Sequence, residues 1–227
     1  MIKLENVVLA SPGQMNFVIE GMRNPMNSWG KSDSHDCKQN SSFCMECECN
    51  KIGYRLGEND ISLMQRLSNA GTEHRKYMRM MPVYVRITAP LYWWKEFDTY
   101  KVGTVANSCS TMHKIAEKGF TLGDFSIEHL NDDRSAELSN VEWLEHLIHH
   151  LNRDRLRFIE TKDKQYWWQM IQLLPSSYNQ TRNVMLNYEV LANIYRQRKN
   201  HKLDEWREVC KWIESLPYSE LITGEEE

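Results

Sequence analysis

The sequence predicts a single α+β domain, and three observations support this class. Short segments of alternating apolar and polar residues, rich in β-branched side chains, lie in the first half of the chain. The second half carries apolar residues at helical spacing behind recognisable cap residues. Of the 227 residues, 41% are hydrophobic and 26% are charged, proportions that are ordinary for a folded globular protein.

The chain begins with a strand and a helix. Residues 4–10 predict the strand, and Ser11 followed by Pro12 predicts the start of a helix that extends to about residue 22. The polar stretch over 24–53 predicts a long loop, and long loops inside a compact domain are often functional.

The next predicted elements are closely spaced. Asn59 or Asp60 can cap a helix that ends at residue 69. Three further elements follow in order, a strand, a short helix and a strand-like segment, over 83–89, 90–97 and 99–105.

Four helices are predicted in the second half. Ser139 and Glu142 form the S-x-x-E capping box that opens the first of them. Behind this box the apolar residues fall on one stripe, formed by Val141, Leu144, Ile148, Leu151 and Phe158. The other three helices are predicted over 161–174, 187–199 and 203–216.

Charge and hydropathy argue against two classes of partner, although they leave a local basic site possible. The formal net charge of −3 and the pI of about 6.3 give no overall attraction to nucleic acid or to an anionic membrane. No apolar run approaches the roughly 20 residues of a membrane-spanning helix, and the first residues lack a signal-peptide core. We therefore expect a cytoplasmic protein that binds neither nucleic acid nor membrane.

A cluster of four cysteines lies in the polar stretch over 31–54. In a reducing compartment Cys37, Cys44, Cys47 and Cys49 favour zinc over disulfides, but the Cys47-Glu48-Cys49 spacing is too tight for a zinc knuckle. We expect a solvent-facing loop without metal, with a zinc-stabilised structural subunit as the alternative. The predicted domain covers residues 1–223, and 224–227 form an acidic tail.

An ordered set of short motifs resembles the flavin-dependent thymidylate synthases. The motifs extend over residues 71–213, and their order carries the resemblance more than any one of them. In the first group are Gly71-Thr72-Glu73-His74, the strand at 83–85, the segment 94–101 and Asn107-Ser108-Cys109-Ser110. In the second group are Leu174-Pro175, Thr181, Met185-Leu186-Asn187, Leu191, Arg198 and Glu205-Trp206.

The resemblance implies a fold and an activity. The family has a mixed sheet with packed helices and assembles as a homotetramer with sites between subunits. Its members bind FAD, take reducing equivalents from NADPH, and transfer a methylene group from methylenetetrahydrofolate to the pyrimidine ring of dUMP. We therefore expect FAD, NADPH, a folate and a pyrimidine nucleotide as cofactor and substrates.

The resemblance also assigns roles to individual residues. Arg198 matches the catalytic arginine on the pyrimidine, where a cation would stabilise an ionised ring and activate its carbon. The predicted cofactor-binding residues are His74, Tyr100, Lys101 and Asn187. The predicted substrate-binding residues are Glu96, Ser108, Ser110 and Arg198.

The chain departs from the family at positions where arginines are usual. Thr99-Tyr100-Lys101 replaces the Arg-His-Arg signature, and Met112 and Ile171 replace two further arginines. Without them, a bound phosphate would need other cations, such as Lys95, Lys114 or Arg182. These departures favour a second hypothesis, a non-catalytic protein that keeps the pocket to hold a nucleotide.

Overall fold

The α+β class is confirmed in a computed structural model that describes residues 2–37, 53–133 and 137–224. In these ranges the strands are β1 Lys3–Leu9, β2 His35–Asp36, β3 Tyr54–Arg55, β4 Pro82–Pro90, β5 Val105–Ser108 and β6 Asn179–Asn187. The helices are α1 Pro12–Arg23, α2 Glu58–Asn69, α3 Lys76–Arg79, α4 Leu91–Phe97, α5 Thr111–Lys114, α6 Asn140–Thr161, α7 Lys164–Leu173, α8 Tyr188–Arg198, α9 Asp204–Glu214 and α10 Glu220–Thr223.

Four strands form the main sheet in the order β1-β4-β6-β5. The sheet is antiparallel, where a mixed sheet was expected. Between β4 and β6, the Tyr188 N–H donates to the Met81 carbonyl at 3.2 Å, and the Thr88 and Thr181 hydroxyls lie 2.8 Å apart. The early part of one strand thus faces the late part of the other. The mixed sheet was expected from the resemblance alone, and no pattern in this sequence had indicated the direction in which neighbouring strands run.

The chain divides into two compact units. Unit 1 comprises Met1–Lys3, Ile87–Thr99 and Asn107–Arg182, and unit 2 comprises Leu4–Arg86, Tyr100–Ala106 and Asn183–Glu227. Each unit has its own set of buried apolar side chains, and their burial stabilises it.

The core of unit 1 forms around the hairpin of α6 and α7. Leu151 and Met170 are completely buried there, and they pack with Ile115, Phe120, Phe125, Leu144 and Ile148. An aromatic cluster lies on α4, where the Trp93 and Phe97 rings stack at 5.1 Å. The apolar stripe predicted for α6 therefore faces a core, as its spacing required.

The core of unit 2 is built by α8, α9 and α10 together with α1, α2 and α3. Its fully buried side chains include Met64, Met78, Leu191, Trp206 and Ile213. Leu191 and Ile213 lie on the apolar faces predicted for α8 and α9, which explains why these two helices were predicted correctly.

Helix starts follow the local capping chemistry. The capping box predicted at Ser139 is present, and the predicted N-cap Ser11 forms a second one: the backbone N–H groups of Ser11 and Ser139 donate to the side chains of Gln14 and Glu142 at 2.8 Å. The prediction for α2 was wrong by a few residues, since this helix begins at Glu58. The Asp33 carboxylate accepts the N–H groups of Asn59 and Asp60 at 2.9 and 3.1 Å, so a distant residue supplies the cap.

Three further expectations need correction. The strand-like segment expected over 99–105 is a turn up to Gly103, whose φ is +82°, and β5 begins only at Val105. The helix expected from residue 161 begins at Lys164, after Asp163 as its cap. β6 was not predicted at all, because its first half is the polar run Asn-Gln-Thr-Arg-Asn.

The cysteine segment is only partly within the described residues. His35 and Asp36 pair with Arg55 and Tyr54 in an antiparallel ribbon, so the ends of the predicted 31–54 loop are strands. Cys44, Cys47 and Cys49 lie outside the described residues, as does the tail after Gly224. Within the ranges that the structure covers, no group of three or more His, Cys, Asp or Glu side chains could hold a metal ion. In those same ranges no helix has the length and apolarity to cross a membrane.

Candidate functional site

Arg198, the last residue of α8, is held by the loop that replaces the family signature. Its Nε donates to the Tyr100 hydroxyl at 2.9 Å, and that hydroxyl donates to the Gln197 side-chain carbonyl, also at 2.9 Å. Tyr100 therefore acts as acceptor and donor at once, which fixes its ring and the guanidinium together. Two residues that the sequence assigned separately, to cofactor and to nucleotide, are thus in direct contact.

An aromatic floor supports the same guanidinium. The Arg198 Cζ lies 4.8 Å from the centroid of the Trp206 ring and 5.7 Å from that of Tyr100. Trp206 is fully buried, and its ring meets Tyr100 edge-on at 5.9 Å. Cation–π contacts stabilise an arginine by about 0.5–2 kcal/mol, depending on its burial, so these rings favour one orientation of the half-buried Arg198.

Asn187 performs a structural task at the other end of α8. Its side-chain oxygen accepts the Val190 N–H at 3.0 Å, so it is the N-cap of the helix. Its amide nitrogen faces Gly103, where an added Cβ would lie 3.0 Å from that nitrogen. The predicted cofactor contact of Asn187 therefore rests on the amide nitrogen, since the oxygen is engaged in the cap.

His74 and Lys101 are both exposed on unit 2. The His74 backbone N–H donates to the Gly71 carbonyl at 3.1 Å in the turn that follows α2. Exposure on the surface does not by itself assign either side chain to a cofactor. Their predicted roles toward a cofactor therefore remain predictions.

The predicted substrate residues Glu96, Ser108 and Ser110 lie on unit 1. Ser110 is the N-cap of α5, and its hydroxyl oxygen accepts the His113 N–H at 3.1 Å. Ser108 is exposed at the end of β5. The Glu96 carbonyl accepts the Thr99 hydroxyl at 2.7 Å, so the threonine at the first signature position is engaged locally.

Arg182 on β6 is committed to its neighbours in unit 1. Its Nη1 donates to Asp98 at 2.7 Å, its Nε donates to Gln180 at 2.9 Å, and its Cζ lies 4.1 Å from the centroid of the Trp94 ring. Only 14% of its side chain is exposed. Of the replacement cations considered from the sequence, Arg182 is therefore part of an internal network, and Lys114 is likewise paired with Glu117.

Gln180 was not among the predicted site residues, and it holds the segment that contains Ser110. Its Nε2 donates to the Cys109 carbonyl at 3.0 Å and to the Thr111 hydroxyl at 2.9 Å. Ser110 is thus bracketed on both sides. No local motif could have indicated this role, because the contacts join residues about 70 positions apart.

Solved structures of two proteins resemble this chain over nearly its whole length. No model of a protein family matches the sequence, and no curated protein sequence matches it either. The flavin-dependent thymidylate synthase ThyX of Helicobacter pylori, crystallised with FAD and dUMP, superposes with a TM-score of 0.63 at 17% identity. This alignment covers 99% of this chain and 97% of the other.

A second neighbour is the UMP/dUMP methylase PolB of Streptomyces cacaoi, bound with 5-Br dUMP. It superposes with a TM-score of 0.58 at 12% identity, over 95% of this chain and 89% of the other. At these identities the likeness establishes the fold, and the predicted resemblance is confirmed at that level. The chain has the fold of the flavin-dependent thymidylate synthases.

Proposed function

We propose that this chain binds FAD and a pyrimidine deoxynucleotide and transfers a one-carbon group from a folate to the pyrimidine ring. The substrate would be dUMP, giving dTMP, or a related nucleotide. Two lines support the proposal: the shared fold, and the nucleotides named in the neighbouring structures, dUMP with ThyX and 5-Br dUMP with PolB.

The observation that carries the proposal is the immobilised Arg198. A guanidinium that two rings and one hydroxyl orient in advance loses little further freedom when a ligand binds. Placed against the oxygens of a pyrimidine, it would stabilise negative charge on the ring and so increase the reactivity of the ring carbon. Arg198 would thus act as the catalytic residue, with Tyr100 and Trp206 positioning it.

The donors predicted to bind the cofactor suit a flavin. The amide nitrogen of Asn187, which faces the turn at Gly103, is a hydrogen-bond donor that suits the oxygens and nitrogens of the flavin ring. Lys101 and His74 are exposed cationic or donor side chains that suit the diphosphate. When bound, FAD would supply the hydride chemistry with NADPH as reductant and methylenetetrahydrofolate as carbon donor. The residues of this chain would bind and orient the partners.

One set of substitutions favours the alternative, a non-catalytic nucleotide-binding protein. The Thr99 hydroxyl is bonded to Glu96, and Met112 is 48% exposed at a position where an arginine is usual. With fewer cations, a bound phosphate is neutralised less completely. Because the reaction needs a more precisely placed nucleotide than binding does, activity would be lost before nucleotide binding.

An assay of turnover separates the two functions. Purified protein is incubated with dUMP, FAD, NADPH and methylenetetrahydrofolate, and dTMP is measured, with Arg198→Ala and the exposed-site control Arg207→Ala alongside. We expect dTMP from the native chain and the control, and at least about tenfold less from Arg198→Ala. Nucleotide binding without dTMP would support the alternative. Absence of both flavin and nucleotide binding would contradict both.

A further inference from the structure

A cleft on unit 2 is lined by residues to which no role toward the nucleotide or the flavin was assigned. Its volume is about 290 Å³, and it lies between the end of α2, the turn that follows, one face of α8 and the C-terminal helix α10. Its lining includes Asn69, Gly71, Arg75 and Arg196. Among the described residues that line it, none is an aspartate or a glutamate.

Arg75 is a largely buried arginine with one buried N–H group that no described residue accepts. The residue is 8% exposed, and its Nε is buried without a hydrogen-bond acceptor among the described residues. Within the same residues, the structure gives the Arg75 side chain only an ion pair with Glu189, at 3.8 Å, which is too long for a hydrogen bond. Glu189 instead binds Arg79, whose Nη2 lies 3.1 Å from Oε1.

Burying a charged guanidinium without acceptors is costly. Arginine presents five N–H donors in a planar fork, and a phosphoryl oxyanion, like a carboxylate, can accept two of them at once. An anion bound in the cleft would accept a hydrogen bond from the buried N–H of Arg75 and so offset the free-energy cost of burying it unpaired.

Two further groups in the cleft can bind the same anion. Arg196 is exposed on α8. Its Nη2 donates to the side-chain oxygen of Asn193 at 2.6 Å, so its guanidinium lies along the surface of the helix. The side-chain amide of Asn69, at the end of α2, adds a neutral donor. The volume lies near the lower limit of small-molecule pockets, so it accommodates an oxyanion together with a small attached group.

We propose that this cleft binds a phosphoryl dianion, with Arg75 as its principal ligand and Arg196 as its second. The phosphoryl group could be inorganic phosphate or part of a larger molecule, such as the phosphates of FAD or of a nucleotide. The site does not depend on the function proposed above, because it needs neither flavin nor pyrimidine chemistry.

The test is a calorimetric titration of the full chain with inorganic phosphate at constant ionic strength, with chloride as the reference anion. The variants are Arg75→Gln, Arg196→Gln and, as a matched control on the exposed face of α9, Arg207→Gln. We expect phosphate binding to be at least about tenfold weaker in Arg75→Gln, a few-fold weaker in Arg196→Gln and unchanged in the control.

Thermal denaturation with and without phosphate gives a second test. If Arg75 had only a structural role, its substitution would not change the shift in the midpoint that phosphate causes. Phosphate should raise the midpoint of thermal unfolding of the native chain and of the control but not that of Arg75→Gln. A ligand raises this midpoint only when it binds the folded protein. If Arg75→Gln fails to fold, Arg75→Lys keeps the charge without the fork and should still bind phosphate more weakly.

Repeating the titration with saturating FAD or dUMP identifies the source of the phosphoryl group. Competition would assign the cleft to the phosphate of that ligand, and undiminished binding would assign it to a separate phosphate compound; both results support the site. The proposal is overturned if the native chain binds phosphate no better than chloride. It is equally overturned if folded Arg75→Gln binds phosphate as the native chain does.

Discussion

Arg23 and Asp60 form an ion pair that is almost wholly removed from water. The Arg23 Nε lies 2.6 Å from the Asp60 carboxylate, and their side chains are 4% and 0% exposed. The second carboxylate oxygen accepts hydrogen bonds from Ser32, Asp33 and Ser34. This single carboxylate thus connects α1, α2 and the segment that precedes the cysteines.

Removing the Asp60 charge should destabilise the protein strongly. Asp60→Asn leaves Arg23 buried without its partner, and we expect a loss of about 3–5 kcal/mol in the free energy of unfolding. The control is Asp204→Asn, in an exposed pair with Arg207, which should cost less than about 1 kcal/mol. Urea denaturation of both variants measures the difference, and equal losses would contradict a special role for the buried pair.

The same pair predicts how stability depends on pH. Burial acts to raise the pKa of Asp60, but hydrogen bonds from Ser34, Ser32, Arg23 and the Asp33 backbone outweigh it and hold the pKa below the ordinary 3.8. A depressed pKa contributes stability above the unfolded value, and this stability is lost as the pH falls through the folded value. Below about pH 4 the native chain should therefore lose stability more steeply than Asp60→Asn.

Gly103 gives a second test at the scale of one residue. With φ at +82° and its Cβ position 3.0 Å from both Asn187 and Val190, it is unsuited to a side chain. Gly103→Ala should cost at least about 1–2 kcal/mol, through the left-handed backbone and the displaced cap. Gly13→Ala in α1, where a Cβ meets nothing within 4 Å, should change stability by less than about 1 kcal/mol. Thermal unfolding compares the two, and a neutral Gly103→Ala would show that this turn is not constrained.

At the scale of elements, helices with apolar stripes were predictable, as α6, α8 and α9 confirm, and α6 and α8 also begin at side-chain caps. β6 was not predictable because its polar first half gains strand structure only from its neighbours in the sheet. The contact of Tyr100 with Arg198 could not be foreseen either. Resemblance indicated both residues, but only the fold brings residues 98 positions apart together.

Gln180 on β6 allows a test of whether the segment around Ser110 must be held in place for a nucleotide to bind. Gln180→Leu removes the two hydrogen bonds that hold Cys109 and Thr111, so the predicted nucleotide contact of Ser110 should loosen. We expect dUMP affinity to fall by a factor of about 5–10, with little change in the stability of unit 2. Gln172→Leu, on the exposed surface of α7, is the control. Calorimetry that found the same affinity in both variants would exclude a positioning role for Gln180.

At the scale of the whole molecule, the α+β class followed from the strand and helix patterns and the thymidylate synthase likeness from the order of short motifs, whereas the assembly remains a prediction. We propose a homotetramer with sites between subunits, as the resemblance implies. Light scattering on the purified chain should then give four times the chain mass of 27.0 kDa. A monomer at micromolar concentration would contradict that proposal, and any site would then be complete within one chain.

The central claim is that Arg198 binds a pyrimidine nucleotide from the position that Tyr100 and Trp206 impose. Calorimetry with dUMP, dCMP and dTMP on the native chain, Arg198→Ala, Arg198→Lys and the control Arg207→Ala tests it most directly. A charge-assisted hydrogen bond is worth about 1.5–3 kcal/mol, so Arg198→Ala should bind the preferred nucleotide about ten- to a hundredfold more weakly. Arg198→Lys should fall between, and the control should match the native chain. Unchanged affinity in folded Arg198→Ala would contradict the claim.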